Sequence, residues 1–277
     1  MKVVILAGGG GTRMSSDGDL APKPLLDIGG RPILWHIMRS FCLQGFDDFI
    51  VAAGQQSEKI KRFFLDEMDT AGDIEIDAGR RQVARSGDDG DHWRVRVVDT
   101  GIHTETGGRV ARLRPLLQDE PFIVTYGDSL SDVDVHAVTA QHRRRGHLVT
   151  VTAVRPPSRF GGLRFDGDKV AGFIEKPQIG EGWINGGFAV FEPAALDHPA
   201  LRGDGATLAG LYEALVGERR LGAYRHEGFW LAADTLRALK LLGDMWESGE
   251  APWMQPAAAM PPPIPVTAAP AAAWNTP

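Results

Sequence analysis

A chain of 277 residues, 43% hydrophobic and 24% charged, is long enough for one large α/β domain with a substantial core. A net charge of -6 and a pI near 5.8 give no global attraction for nucleic acid or an anionic membrane, so any anionic ligand must be held by local groups. No apolar run approaches the roughly 18 residues of a membrane span, and Cys42 has no second cysteine to pair with, so a reducing, cytoplasmic setting is expected.

The first seven residues, Met1 to Ala7, pass from a short apolar run straight into glycines, without the longer stretch and cleavage site of a signal peptide, and read as a buried first strand. Pro32 and Gly45 bracket a helix containing Ile33 to Phe41, matching the proline-first, glycine-last asymmetry of helices. Further β-rich runs at Phe49–Ala53, Val95–Val98, Phe122–Tyr126 and Leu148–Val154 alternate with helical patterns, one of them after Ser57 with Ile60, Phe63 and Phe64 on one face. That alternation predicts crossovers and a largely parallel sheet.

Residues Arg80 to His92 are polar and glycine-containing and read as a mobile loop, while Arg143-Arg144-Arg145 end a helix where cations suit the dipole. From Gly162 onward, shorter strands at Gly162–Phe165, Val170–Ile174 and Phe188–Phe191 read as a β-rich elaboration packed on the sheet. Helices are expected over Thr207–Val216 and Thr235–Ser248, and the Ala/Pro-rich segment 254–277 has too few large apolar groups to pack, which reads as a disordered tail. The division expected is one domain over 1–253, in two parts over about 1–135 and about 136–253.

The first strand ends in Gly8-Gly9-Gly10-Gly11-Thr12-Arg13-Met14. Glycines admit positive φ and bring bare N–H groups against a ligand, which is how a loop after a strand surrounds phosphate oxygens, and Arg13 adds a fixed cation. The run lacks the Gly-Lys-Ser/Thr end of a Walker loop, and Arg13 stands where the dinucleotide pattern needs its third glycine. Ten residues on, Lys23 lies between Pro22 and Pro24, on a stiff, extended segment that would position its ammonium for phosphate.

Together, Leu6 to Met14 and Pro22-Lys23-Pro24 resemble the signature of the sugar-phosphate nucleotidyltransferases. Agreement with the glucose-1-phosphate cytidylyltransferase branch extends through Gly29 to Met38, Val98-Asp99-Thr100-Gly101, Thr106-Gly107-Gly108-Arg109, Tyr126-Gly127-Asp128, Arg159-Phe160-Gly161, Glu175-Lys176-Pro177, Ile184 to Phe188, Gly228-Phe229-Trp230 and Asp234 to Arg237. The resemblance implies a Rossmann-like nucleotidyltransferase fold, a mainly parallel mixed sheet flanked by helices. It implies transfer of a cytidylyl group from CTP to a sugar 1-phosphate such as glucose 1-phosphate, with a magnesium ion (Mg2+) and a homo-oligomer, hexameric in the nearest relatives. Leu6, Ala7, Gly8, Gly9, Gly10, Gly11, Thr12 and Arg13 would then wrap the nucleotide, with Lys23 on phosphate and Thr104, Arg109 and Gly127 holding CTP. Asp128 and Asp234 would hold the metal. Lys176 would face the sugar phosphate, and Tyr126, Glu175, Asn185 and Trp230 would line the sugar. Arg13, Lys23, Asp128 and Lys176 form the implied catalytic set.

Each of these residues has a plainer reading. Asp128 follows an apolar strand and so lies at a carboxyl edge, where open α/β sheets bind ligands, but it could instead cap a turn. Asp234 could be an N-cap, Glu175 and Lys176 a solvated pair, and Asn185-Gly186-Gly187 a turn. None of the eight histidines has a metal-ligand spacing, and His36 lies within a helical stretch. Asp132-Val133-Asp134 raises a metal-dependent glycosyltransferase as a rival, and a non-catalytic nucleotide-sugar sensor is another. Relatives carry lysine where Ala21 stands, so one phosphate-facing cation is missing, and an acidic segment where Leu208 to Leu211 stand and polar residues in place of Leu231 to Ala233, which points to a deoxygenated or otherwise less polar sugar; transfer from another nucleoside triphosphate is a further alternative.

Overall fold

The computed structural model describes residues 1–9, 21–70, 72–86, 92–156, 162–166, 169–174 and 182–255. Seven strands form the central sheet: β1 (Val3–Ala7), β2 (Asp48–Ala53), β3 (Arg94–Asp99), β4 (Phe122–Tyr126), β5 (Val149–Val154), β6 (Ile184–Phe191) and β7 (Leu221–His226). Their spatial order is β7-β5-β6-β4-β1-β2-β3. The pairs β1/β2, β1/β4, β2/β3 and β5/β7 are parallel, whereas β6 runs antiparallel to both β4 and β5.

Alternation along the strands divides the core into two layers, because successive side chains point to opposite faces. Val3, Ile5 and Ala7 meet α1 (Ile33–Cys42) on one face, together with Ile60 of α2 (Ser57–Thr70), Val135 and Val138 of α4 (Val135–Arg145), and Leu242 of α6 (Leu236–Glu247). Val4 and Leu6 face the opposite layer, where Val110 of α3 (Thr106–Arg112), Leu117, and Leu208, Leu211 and Leu215 of α5 (Leu208–Gly217) pack. The result is a three-layer α/β/α fold in which only the loops at strand ends are free to bind.

Helix starts follow side-chain capping. Asp134, Thr207 and Thr235 each accept a backbone N–H three residues on, from Ala137, Gly210 and Ala238. The cap of α6 is therefore Thr235, which removes the N-cap reading of Asp234. Arg143 to Arg145 do end a helix, closed by Gly146 at φ 64°.

Three expectations are corrected. Ile184–Phe191 is a central strand of the main sheet rather than part of an elaboration; its buried run Gly186 to Phe191 is that of a strand covered on both faces. Arg80 to Ser86 is not all loop: Gln82–Ser86 pairs antiparallel with Asp73–Asp77, whose alternation Asp-Ile-Glu-Ile-Asp was the missed period-two signal. Residues 87–91 of that stretch lie outside the described residues. Lys23–Leu25 is one 3-10 turn, closed by Leu25 N–H donating to the Pro22 carbonyl at 2.7 Å, rather than an extended segment. Gly162–Asp166 and Lys169–Ile174 pair as a separate ribbon, as expected of an elaboration. Most of the Ala/Pro-rich tail, 256–277, lies outside the described residues.

Candidate active site

All six mutually parallel strands end at one edge of the sheet, and a cleft of about 500 Å³ opens there between the ends of β1 and β4 and the segment after β3. This is the edge at which open α/β sheets present ligand-binding loops. Leu6, Ala7, Gly8 and Gly9 form one wall, Lys23 and Pro24 a second, Ile102 to Thr106 with Arg109 a third, and Tyr126, Gly127 and Asp128 the fourth.

Close backbone contact shapes the cleft. Gly127 N–H donates to the Leu6 carbonyl at 3.0 Å, and a Cβ on Gly127 would come within 3.0 Å of both that oxygen and Pro24 Cγ. A side chain at Gly127, where β4 hands over to the Asp128 turn, would therefore crowd Leu6 and Pro24. Lys23 Nζ stands 3.3 Å from Asp128 Oδ2, pairing a cation and a carboxylate that are 105 residues apart and partly open to solvent.

Asp128 and Asp234 reach the same edge through a short ribbon. Ser129–Ser131 pairs antiparallel with Trp230–Ala232, and just beyond it Ala233 N–H donates to the Asp128 carbonyl at 2.7 Å. The two aspartates are thereby held on neighbouring backbone segments. Two carboxylates, with phosphate oxygens and waters completing the shell, suit a hard cation such as magnesium. Among the described residues no cluster of three or more His, Cys, Asp or Glu side chains could hold a metal ion.

Arg109 lies almost wholly buried at the base of α3. Its Nη2 donates to the Gly8 carbonyl at 2.9 Å, and its Nη1 lies within donating distance of the Ala53 carbonyl (3.1 Å), the Gly101 carbonyl (2.8 Å) and Thr100 Oγ1 (2.7 Å). Burial draws its pKa downward, with the carboxylates of Glu105 and Asp99 opposing. Thr104 is also buried on the cleft wall, and the segment behind it is docked by Glu105 N–H donating to the Asp204 carbonyl at 2.7 Å.

Of the expected sugar residues, Tyr126 lines the cleft, and Asn185 and Trp230 stand beside it. Burial pushes the Tyr126 phenol up, with the Asp128 charge adding to the shift. The ring packs on Gly187, where a Cβ would fall 2.5 Å from Tyr126 Cδ2. Asn185 Oδ1 accepts Gly187 N–H at 3.0 Å. The Tyr212 phenol is raised strongly by burial, then by Tyr126, against the opposing effect of Asn185. Trp230 commits its indole N–H to the Gly186 carbonyl at 2.7 Å, leaving its ring as the part that can meet a ligand.

Of the residues expected from sequence, Leu6, Ala7, Gly8, Gly9, Lys23, Thr104, Arg109, Tyr126, Gly127 and Asp128 line one cleft. Asn185, Trp230 and Asp234 stand beside it rather than in its lining. Gly10, Gly11, Thr12, Arg13, Glu175 and Lys176 lie outside the described residues. Sequence reasoning missed Ile102, His103 and Glu105 on the cleft wall and Tyr212 behind Asn185. The position of residues 102–105 just past a strand end was the available signal for the first three; Tyr212 had none, because its partners come from β6.

The Asp-x-Asp alternative loses its support here. Asp134 caps α4, and Asp132 Oδ1 lies 2.8 Å from His226 Nε2, with both side chains nearly buried. His36 is likewise structural: fully buried, with Nε2 2.9 Å from the Ile28 carbonyl and Nδ1 accepting the Trp253 indole N–H at 3.3 Å.

The comparisons agree with this geometry. The chain is 39% identical over 255 residues to the glucose-1-phosphate cytidylyltransferase of Salmonella typhi, covering 91% of this chain and 98% of that protein. It is 32% identical over 239 residues to the mannose-1-phosphate guanylyltransferase catalytic subunit beta of Danio rerio, covering 83% of this chain and 60% of that one. The structure of HddC from Yersinia pseudotuberculosis superposes with a TM-score of 0.64 at 21% identity, over 88% of this chain and 99% of that chain, a likeness of fold. The family model described as nucleotidyl transferase matches residues 2–230, and the chain belongs to that family.

Proposed function

We propose that this protein transfers a cytidylyl group from CTP to a sugar 1-phosphate, α-D-glucose 1-phosphate or a related hexose 1-phosphate, giving a CDP-sugar and pyrophosphate. The observation that carries the reaction class is the Lys23–Asp128 pair, 3.3 Å apart, in a cleft whose first wall is the end of β1 with Gly8 and Gly9. The choice of CTP and glucose 1-phosphate draws on the likeness, over nearly full length, to the Salmonella typhi cytidylyltransferase.

In the reaction a phosphate oxygen of the sugar 1-phosphate attacks the α-phosphorus, the bond to the bridging oxygen breaks, and pyrophosphate departs. Both reactants are anions, so the enzyme contributes alignment and charge neutralisation rather than a nucleophile. Lys23 faces the phosphates, and Gly8, Gly9 and Gly127 let the chain approach them closely. Arg13 and Lys176 complete the cationic set, with Gly10 to Thr12 extending the nucleotide loop. Tyr126, Glu175, Asn185 and Trp230 recognise the sugar. Asp128 and Asp234 would hold magnesium, which when bound offsets charge on the phosphates. The division of labour follows the chain, with nucleotide recognition in about 1–135 and sugar recognition in about 136–253. We further propose a cytoplasmic homo-oligomer, a hexamer by analogy, which mass measurement in solution checks; among the described residues no helix is long and apolar enough to cross a membrane.

The test is pyrophosphate release with magnesium over a matrix of CTP, UTP, GTP, ATP and dTTP against a panel of sugar 1-phosphates. Turnover confined to CTP with glucose 1-phosphate or a close relative is expected. Preference for another triphosphate or for a deoxygenated sugar replaces the substrate assignment, the second in keeping with Leu208 to Leu211 and Leu231 to Ala233. Nucleotide binding without turnover of any pair points to a sensor instead.

A further inference from the structure

A guanidinium in a cleft built for a triphosphate would ordinarily be assigned to phosphate. Three of the five N–H donors of Arg109 are spent otherwise. Its four oxygen partners are neutral and sit at or just past the carboxyl ends of three neighbouring strands: Gly8 after β1, Ala53 at the end of β2, and Thr100 and Gly101 after β3. Nη1 has two protons for three acceptors, so one proton is shared. Among the described residues no carboxylate pairs with it, and the side chain is only 4% exposed.

The fit admits no spare atom. A Cβ on Gly8 would fall 2.1 Å from Arg109 Cζ, and one on Gly54 would fall 2.4 Å from Nη1. Two glycines on different strand ends thus make room for the same side chain, and both precede segments that wall or flank the cleft. The carbonyls of Gly8, Ala53 and Gly101, at the ends of three strands, thus share one donor group, and the Ala53 carbonyl also accepts the Thr100 N–H at 2.8 Å and the Thr100 hydroxyl at 2.6 Å.

We propose that Arg109 is a positioning residue: it ties the ends of β1, β2 and β3 into one rim and sets the direction in which the chain leaves β1 at Gly8 and Gly9. It thereby shapes the seat of the triphosphate through the backbone, without pairing with phosphate. The inference rests on the proposed function only in taking a nucleoside triphosphate as the occupant of the cleft.

Two variants separate this role from direct contact. Arg109→Lys keeps the charge and loses the planar fork. Thr100→Val removes an acceptor of Nη1 that is fully buried and does not line the cleft. Steady-state constants are measured with the triphosphate that the wild type uses best, and CTP affinity is measured by calorimetry in parallel, with thermal midpoints as control. Because each buried bond is worth up to about tenfold, Arg109→Lys should raise the triphosphate KM and Kd by about 30-fold or more, and Thr100→Val by about 3- to 10-fold. For both, kcat should stay within about threefold and the sugar 1-phosphate KM should hold, as expected for a loss confined to triphosphate binding. A silent Thr100→Val with a wild-type-like Arg109→Lys overturns the inference in favour of a simple charge contact. Lower thermal midpoints with unchanged triphosphate constants overturn it in favour of fold stability alone. Wild-type protein that binds CTP without turnover sinks the proposed function yet leaves the calorimetric comparison standing, whereas wild-type protein that binds no triphosphate sinks both.

Discussion

The two halves of the sheet's functional edge are built differently. Around β1, β2, β3 and β4 every strand arrives in the same direction, and what it delivers is mostly main chain: glycine turns, strand-end carbonyls and the buried guanidinium that gathers them. Around β6 the strand direction reverses, so a strand begins at this edge instead of ending there. Its first residues, Ile184 and Asn185, are exposed, and side chains do the work: Asn185 with Tyr212 behind it, and Tyr126 packed on Gly187. A main-chain site is fixed by strand geometry and alters little with a single side chain; a side-chain site can be retuned residue by residue. The departures at Leu208 to Leu211 and Leu231 to Ala233 fall in elements around the second kind.

The sharpest break would come at the junction of the two halves, where Asp128 and Lys23 meet. Asp128→Asn and Lys23→Ala should each lower kcat by about 10²- to 10³-fold, the range seen when one preorganised charge-stabilising group is removed. Thermal midpoints should hold, because both side chains are partly solvated. A rate within tenfold of wild type for both would remove the pair from the chemistry.

Next in size, Asn185→Ala and Tyr212→Phe should raise the KM for sugar 1-phosphate by about tenfold each, the scale of a hydrogen bond to a substrate hydroxyl or to the group that orients it. The CTP constant should move less than about twofold if the halves are separate recognition surfaces. Equal shifts in both constants would dissolve the distinction drawn above.

A defect in the frame should affect both halves alike. Gly29 sits at φ +60°, and a Cβ there would lie 1.9 Å from Trp246 Cδ1, so Gly29→Ala should cost about 1–3 kcal/mol of stability. Neither KM should change, and chemical denaturation gives the first number.

The smallest effect is on pH. Burial holds the His36 pKa below its ordinary 6.5, against the opposing pull of the Ile28 carbonyl and Asp27, with Arg31 adding to the lowering. Above pH 6.5 the ring is neutral folded or unfolded and contributes no slope. As pH falls through 6.5 the unfolded chain takes up the proton first, so stability declines until the folded pKa is passed. The thermal midpoint should fall by a few degrees, about 2–6 °C, between pH 7 and 5, and His36→Gln should flatten part of that slope. His142, also lowered by burial against Glu192, accounts for more of it. An unchanged slope in His36→Gln would show the ring to be more hydrated than its surroundings indicate.

Short-range rules made most of the elements readable. Pro32 and Gly45 bracket α1, and alternating or continuous apolar runs mark β1, β2, β3, β4 and β5. The glycine run, Lys23 and Asp128 were legible as candidate ligand groups because each belongs to a local pattern with a local physical reason. β6 was misplaced because its short buried run fits a central strand and a peripheral one equally well, and the strand at Asp73–Asp77 because it needs Gln82–Ser86 to exist.

The sequence by itself determined which residues would end strands and which glycines would free the backbone beside them. The tertiary structure alone decided which of those ends meet. It placed Asp234 beside Asp128 through the ribbon Ser129–Ser131/Trp230–Ala232, put Tyr212 near Asn185, and brought Arg109 within hydrogen-bond reach of three strand ends. The reason is range: capping, turn and periodicity act within a few residues, whereas Gly8 and Arg109, or Lys23 and Asp128, stand about a hundred residues apart and are joined only when the sheet sets their order.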